Sequence, residues 1–214
     1  ASWRGVLLAV QECGIVIALA VLALALSLSS SHFLTPLNLL NTVEAGAIYG
    51  IVAIALTILL IVGEFDLSSG AIFVLAGIVA AKLQPAIGTS PALELGVLAG
   101  MAVGAVNGLV VAYLRINSFA ATLGTSLLVV GIGTKITNGF QLYIADPEFS
   151  VLGNGKVLGV DYFIWVFIAF ALLSGLVLWR TKLGRWLYAA GGNPEAARLS
   201  GINVQALRIG AFAF

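Results

Sequence analysis

The sequence predicts an all-α, polytopic membrane protein, and three observations carry that prediction. Of its 214 residues, 61% are hydrophobic and 9% charged, where soluble domains hold about a quarter charged residues. Mean hydropathy is +1.12. Whole stretches, among them "GIVIALAVLALALSL" and "IWVFIAFALLSGLVLW", contain no charge, and a bilayer core admits runs of that length as helices. Such runs recur along the chain, each bounded by polar or Gly/Pro punctuation.

Six apolar segments follow one another, at roughly 14–28, 46–62, 70–83, 92–114, 119–138 and 162–179. The first ends in "ALALSLSSS", which has small residues after an apolar core as a signal peptide would. With Arg4 as the only basic residue before that core and five more apolar segments following, it reads as an uncleaved first helix. In "FLTPLNLL", Thr35 is an N-cap and Pro36 a first helical residue, so a short helix is expected to restart there along the membrane surface. The third segment would rise only about 21 Å as a helix, against a hydrocarbon core of about 30 Å.

Basic residues arbitrate, because cytoplasmic loops are enriched in Lys and Arg. If all six segments cross and the N-terminus is inside, Arg4, Arg115, Arg180, Lys182, Arg185, Arg198 and Arg208 share the cytoplasmic side and Lys82, Lys135 and Lys156 lie outside. A re-entrant third segment gives a more even split, so crossing is preferred. Both versions leave the 180–208 loop in the cytoplasm. The loop over 139–161, "GFQLYIADPEFSVLGNGKVLGVD", carries Asp146, Glu148 and Asp161 against one Lys, with turn signals at Asp146-Pro147 and Gly153-Asn154-Gly155, and belongs outside. The chain stops at "RIGAFAF", inside what reads as a further apolar segment, so residues 1–214 read as a single transmembrane domain incomplete at its C-terminus.

No catalytic set is visible. His32 is the only histidine and Cys13 the only cysteine, which removes a Ser/His/Asp site, a metal cluster and a disulfide framework. No glycine-rich turn is followed by Lys-Ser/Thr at phosphate-loop spacing, so any ATP is handled by another polypeptide. A net charge of +1 gives no footing for nucleic acid.

Three features remain. Gly96, Gly100, Gly104 and Gly108 recur every fourth residue, leaving one stripe of a helix bare so that a neighbouring backbone can come close. Asn107, beside the stripe, bonds a neighbouring helix or faces a polar pathway. "GEFDLSSG", 63–70, sets Glu64 and Asp66 between two apolar segments. The pair is either a capped turn, with Asp66 or Ser68 as N-cap, part of a pathway, or a cation site.

In "GGNPEAARLSGI", Gly192 leads into Asn193 as N-cap, Pro194 opens the helix, Glu195 sits in its first turn, Ala196, Ala197 and Arg198 continue it, and Gly201 suits the left-handed stop. The bounded helix is about seven residues, or about 10 Å, too short to stand alone in water. It requires a surface, which is the protein's own helix ends, the lipid headgroups or a separate subunit.

"TKLGRWLYAAGGNPEAARLSGINV" (181–204) resembles the cytoplasmic loop of permease subunits of bacterial ABC importers of the ribose, xylose and galactose type. "GEFDLSSG" is similar to that family's glycine, Asp-Leu-Ser, glycine signature, "INSFAATLGTSLL" (116–128) to its loop-to-helix segment, and "FLTPLNLLN" to its N-terminal region. Glu64-Phe65 and Ser69 depart from the commoner Gly-Ile and Val. The resemblance implies a multi-pass protein of the bacterial cytoplasmic membrane that pairs with a second permease copy. It also implies an ATPase subunit carrying ATP and Mg and an extracytoplasmic sugar-binding protein. The helix at Asn193–Ser200 would be the coupling helix docked on the ATPase. Tyr49, Asn107, Phe119, Thr122, Thr125 and Ser126 are pathway candidates. A secondary transporter with Glu64 and Asp66 as ion site is the alternative.

Overall fold

A computed structural model describes residues 3–144 and 146–214, with the side chains of 3–12, Leu152 and Asn154 outside the description. Arg4, counted above with one side's basic residues, is among these. The chain divides into two units, residues 1–46 and 47–214.

The first unit holds α1 (Trp3–Ser29) and the first turns of α2 (Pro36–Ile61). Pro36 does start a helix, since a proline at the first position gives up only an N–H that the helix leaves unpaired. Thr35 Oγ1 accepts the Asn38 N–H at 3.4 Å, and Asn38 Nδ2 donates to the Phe33 carbonyl at 2.8 Å. The helix is not the separate surface piece expected from sequence. It runs unbroken for 26 residues, because weak helix formers such as Asn41, Thr42 and Gly46 cost at most about 1 kcal/mol each.

In the second unit the helices are α3 (Ser69–Ile87), α4 (Thr89–Leu114), α5 (Ser118–Thr137), α6 (Pro147–Asn154), α7 (Tyr162–Arg180), α8 (Lys182–Gly192), α9 (Pro194–Leu199) and α10 (Val204–Ala213). An antiparallel pair of two-residue strands, β1 (Lys156–Val157) and β2 (Val160–Asp161), lies between α6 and α7. Among the described residues five helices, α2, α3, α4, α5 and α7, are long and apolar enough to cross a membrane. The doubtful third segment is among them: α3 has 19 residues, about 28 Å. Its extra turn, Gln84–Ile87, contains Pro85 and ends at Gly88, which turns the chain with φ +83°.

Spanning helices joined by short turns alternate in direction. One face therefore gathers the end of α2, the start of α3, the end of α4, the start of α5, the end of α7, α8, α9 and the start of α10, whose far end reaches inward to Gly104 of α4. Arg115, Arg180, Lys182, Arg185, Arg198 and Arg208 fall there, while Lys82, Lys135 and Lys156 fall at the other. At that other face Asp146–Pro147 is a helix start and not the expected turn. The Asp146 side chain accepts the Glu148 N–H at 2.9 Å as N-cap of α6. The same carboxylate accepts from Gln84 Nε2 and lies 3.5 Å from Thr89 Oγ1, tying the 139–161 segment to the α3–α4 turn.

The glycine row of α4 serves two neighbours. A methyl on Gly96 would come within 2.6 Å of the Ala76 carbonyl oxygen, and one on Gly100 within 3.3 Å of Ile72 Cγ2, both on α3. On Gly104 it would strike the Phe212 carbonyl, and on Gly108 it would lie 2.6 Å from Ile209 Cα, both on α10. One stripe thus seats a crossing helix at one end and α10 at the other. The buried apolar cluster sits beside it on the basic face, where Ile58, Leu59 and Val62 meet Val111, Leu187, Ala190, Leu207, Ala211 and Phe212.

Gly104→Ala is expected to lower thermal stability in detergent by about 1–3 kcal/mol through overpacking. Gly175→Ala, where nothing lies within 4 Å of the added methyl, serves as the unaffected control in the same melt.

Candidate functional site

Gly63–Ser68 is a non-helical stretch between two membrane helices, and its backbone cannot rely on water for hydrogen bonds. The end of α2 satisfies the first two donors: Gly63 N donates to the Leu60 carbonyl at 3.1 Å and Glu64 N to that of Leu59 at 2.9 Å. The first turns of α5 satisfy the next. Phe65 N donates to Ser118 Oγ at 3.2 Å and Leu67 N to Thr122 Oγ1 at 3.0 Å. Ser118 and Thr122 stand one turn apart on α5, about 6 Å along the axis, and Phe65 and Leu67 are alternate residues of the non-helical chain. Two hydroxyls one turn apart therefore meet two alternate backbone N–H groups.

The turn closes on α4. Asp66 Oδ1 accepts from both Ser68 N and Ser68 Oγ at 2.6 Å. Ser68 Oγ accepts from Asn107 Nδ2 at 2.8 Å, and Asn107 Oδ1 accepts from Thr125 Oγ1 at 2.6 Å. Ser68 is the residue before the helix, but neither expected N-cap side chain bonds a helical N–H: the carboxylate of Asp66 holds the Ser68 N–H and hydroxyl, and that hydroxyl in turn accepts from Asn107. Among the pathway candidates Asn107 and Thr122 are buried at 1% and 0% exposure. Both are committed to this knot, and Thr125 closes it. Phe119 and Tyr49 are exposed. Ser126 lines an open, largely apolar groove of about 930 Å³ between α3 and α5, along with Thr134 and Thr137.

Glu64 leaves the knot and meets a residue the sequence reading did not pair with it. Its Oε1 lies 2.9 Å from Arg208 Nε on α10, with the Glu64 side chain 8% exposed and that of Arg208 28%. The pair is a charge contact more than an aligned hydrogen bond, since that N–H has no acceptor in line. The two carboxylates of "GEFDLSSG" are thus turned to different partners. Among the described residues no three His, Cys, Asp or Glu side chains gather into a metal-binding set. No linear signal announced Arg208, because its partner is brought near only when α10 folds back on α4.

The ion pair borders a polar cleft of about 870 Å³ on the basic face, which Arg115, Asn117, Glu195 and Arg198 also line. At its rim stands α9. Asn193 Oδ1 accepts the Glu195 and Ala196 N–H groups at 3.1 and 3.0 Å. Pro194 takes the first helical position. The stop is a Schellman motif: Gly201, at φ +83°, donates to the Arg198 carbonyl, and Ile202 N donates to that of Ala197, each at 3.0 Å.

Of this helix only Ala197 is buried, and Leu199 is 80% exposed. Glu195 and Arg198 form a surface pair at 2.6 Å, worth about 0.2–0.5 kcal/mol. Gly192 and Gly201 flank it in the open. The protein's own surface therefore covers one methyl of α9 and leaves the rest facing outward.

Residues 38–214 match the family model described as branched-chain amino acid transport system / permease component. The L-arabinose ABC transporter permease protein AraH of Azospirillum brasilense is 38% identical over 210 residues, covering 97% of this chain and 62% of that protein. The ribose import permease protein RbsC of Escherichia coli K12 is 36% identical over 198 residues, covering 90% of this chain and 62% of that protein. The galactose/methyl galactoside import permease protein MglC of the same strain is 33% identical over 219 residues, covering 91% of this chain and 64% of that protein. The chain thus spans less than two thirds of the length of each of these curated relatives. No solved structure matches it.

Thr122→Val keeps the side-chain shape but orphans the Leu67 N–H, so a loss of about 1–3 kcal/mol is expected. Faster amide exchange at Leu67 should accompany it. Thr134→Val, which gives up only a bond to the Val130 carbonyl of its own helix, should leave both readings in place.

Proposed function

We propose that this chain, which belongs to the family of permease components of branched-chain amino acid transport systems, is the membrane-spanning subunit of an ABC importer for a monosaccharide, a pentose or a hexose. It is a multi-pass protein of the bacterial cytoplasmic membrane. The named relatives, permeases for arabinose, ribose and galactose, support the sugar reading over the amino acid one in the family's title. ATP and Mg belong to a separate ATPase subunit on the basic, cytoplasmic face. A sugar-binding protein delivers substrate at the 139–161 face, and a second permease copy completes the pathway.

The observation that carries this reading is α9. A six-residue helix cannot persist in water by itself, yet this one is capped at both ends and keeps all but Ala197 outside its own fold. Such a helix is suited to a cleft on another subunit, and the coupling helix of the sugar importers is the role it fits. Movement imposed on α9 has a continuous path inward. The Schellman turn joins it to α10, α10 rests on Gly104 and Gly108 of α4, and Arg208 contacts Glu64 of the turn before α3. Nucleotide binding by the partner supplies the energy, and the helices alternate access as packed bodies.

The ion-coupled alternative needs Glu64 and Asp66 free to hold a cation together. Arg208 supplies the counter-charge to Glu64, and Asp66 is engaged by Ser68, so the alternative loses its site. Uptake into vesicles is expected to require the ATPase subunit and ATP and to ignore an imposed proton or sodium gradient; gradient-driven uptake without ATP would overturn the importer reading. Thermal stabilisation of the cognate binding protein by a panel of pentoses, hexoses and nucleosides identifies the sugar.

Reversing charge at α9, by Glu195→Arg or Arg198→Glu, is expected to cut co-purification with the ATPase while membrane insertion and yield stay unchanged. Undiminished co-purification of both variants would count against α9 as the contact.

A further inference from the structure

We propose that the junction of α7 and α8 is a binding surface for anionic lipid headgroups, a role independent of the transport reading. The argument starts from how α8 is held. Gly184, near its start, packs so closely on Leu178 at the end of α7 that an added methyl would strike that backbone. Gly191, near its end, packs in the same way on the Ile61 carbonyl at the end of α2. Both contacts are with C-terminal ends of helices long enough to span, and these ends share one face. A helix of 11 residues, about 16 Å long, that bridges them lies flat across the ends of the bundle, at headgroup depth.

The sequence of α8 suits that position. Gly184, Leu187 and Ala190 are buried, on one side of the helix. Lys182, Leu183, Arg185, Trp186 and Tyr188 are exposed, which is the composition of an interfacial amphipathic helix. At the junction Trp179 is 75% exposed, and the Arg180 guanidinium stands 4.2 Å from its ring centroid. The indole at the boundary fixes the depth, and the cation above it points toward the phosphates. Arg180, Lys182 and Arg185 thus gather within two turns, and none forms an ion pair among the described residues. A phosphate-bearing lipid headgroup of net negative charge satisfies all three, and the acyl chain takes Leu183 and the exposed rings. A water-facing peptide would have no use for that apolar border.

The test uses brominated lipids as quenchers. Trp3→Phe and Trp165→Phe leave Trp179 and Trp186 as the only indoles of residues 1–214, any tryptophan elsewhere in the protein is likewise replaced by Phe, and the protein is reconstituted in vesicles carrying brominated phosphatidylglycerol or brominated phosphatidylcholine. Quenching is expected to favour the anionic lipid, with the preference falling about fivefold for each basic residue neutralised, at roughly 1 kcal/mol apiece. It should vanish in Arg180→Gln/Lys182→Gln/Arg185→Gln. Raising the salt concentration on the protein with all three basic residues intact should erode the same preference, a reading that survives if the triple variant fails to fold. Equal quenching by the two lipids, or a preference that the triple variant retains, would overturn the proposal. So would indoles shielded by the ATPase subunit in a protein that shows no lipid preference beforehand, which would assign the face to that subunit.

Discussion

The arrangement of the second unit depends on one constraint: non-helical backbone at the edge of a bilayer must find its hydrogen-bond partners inside the protein. Gly63–Ser68 is that backbone. It draws acceptors from the end of α2, from Ser118 and Thr122 on α5 and from Asp66 itself, and Ser68 then brings in Asn107 of α4 and, through it, Thr125. Four helices are fixed around one turn because each has a polar group that the turn cannot do without. Removing a partner here exposes the other to the cost of an unmet donor or acceptor in a place with little water, so the network acts as a unit more than as separate bonds.

This constraint explains why two motifs more than 50 residues apart in sequence read as one structure. "GEFDLSSG" supplies donors at alternate positions, and "INSFAATLGTS" supplies hydroxyls one helical turn apart. Each looks unremarkable alone. Together they set two hydroxyls one turn apart against alternate N–H groups, just before the third helix starts at Ser69.

The spanning helices and the capped α9 were legible in sequence, because apolar run length and the Asn-Pro-Glu start with a Gly stop are local signals. The same grammar stands in Asp146-Pro147-Glu148, which reads equally as a turn; an acidic or amide residue before proline serves both, and what separates them is whether the following residues can wind, as "PEFSVLGN" does. The continuity of α2 was missed for the opposite reason, since polar Asn41, Glu44 and Gly46 interrupt the apolar run without interrupting the helix. Helix α8 gives no apolar-run signal, because "KLGRWLYAAGG" is not apolar throughout and its buried face consists mostly of small residues, although Thr181 caps its start. The Glu64–Arg208 contact lay beyond any linear reading, as it exists only once α10 folds back along α4.

The glycine row of α4 has a mechanical consequence. Its hollows repeat every four residues, about 6 Å apart along the axis, and at Gly104 and Gly108 each is filled by a piece of α10 main chain. Along the row no side chain stands between them, so the stripe is a groove that lets the two main chains come together. A helix seated there is held at backbone distance, and any side chain added to the row would lift α10 off α4: the gap between the helices is set by the absence of atoms.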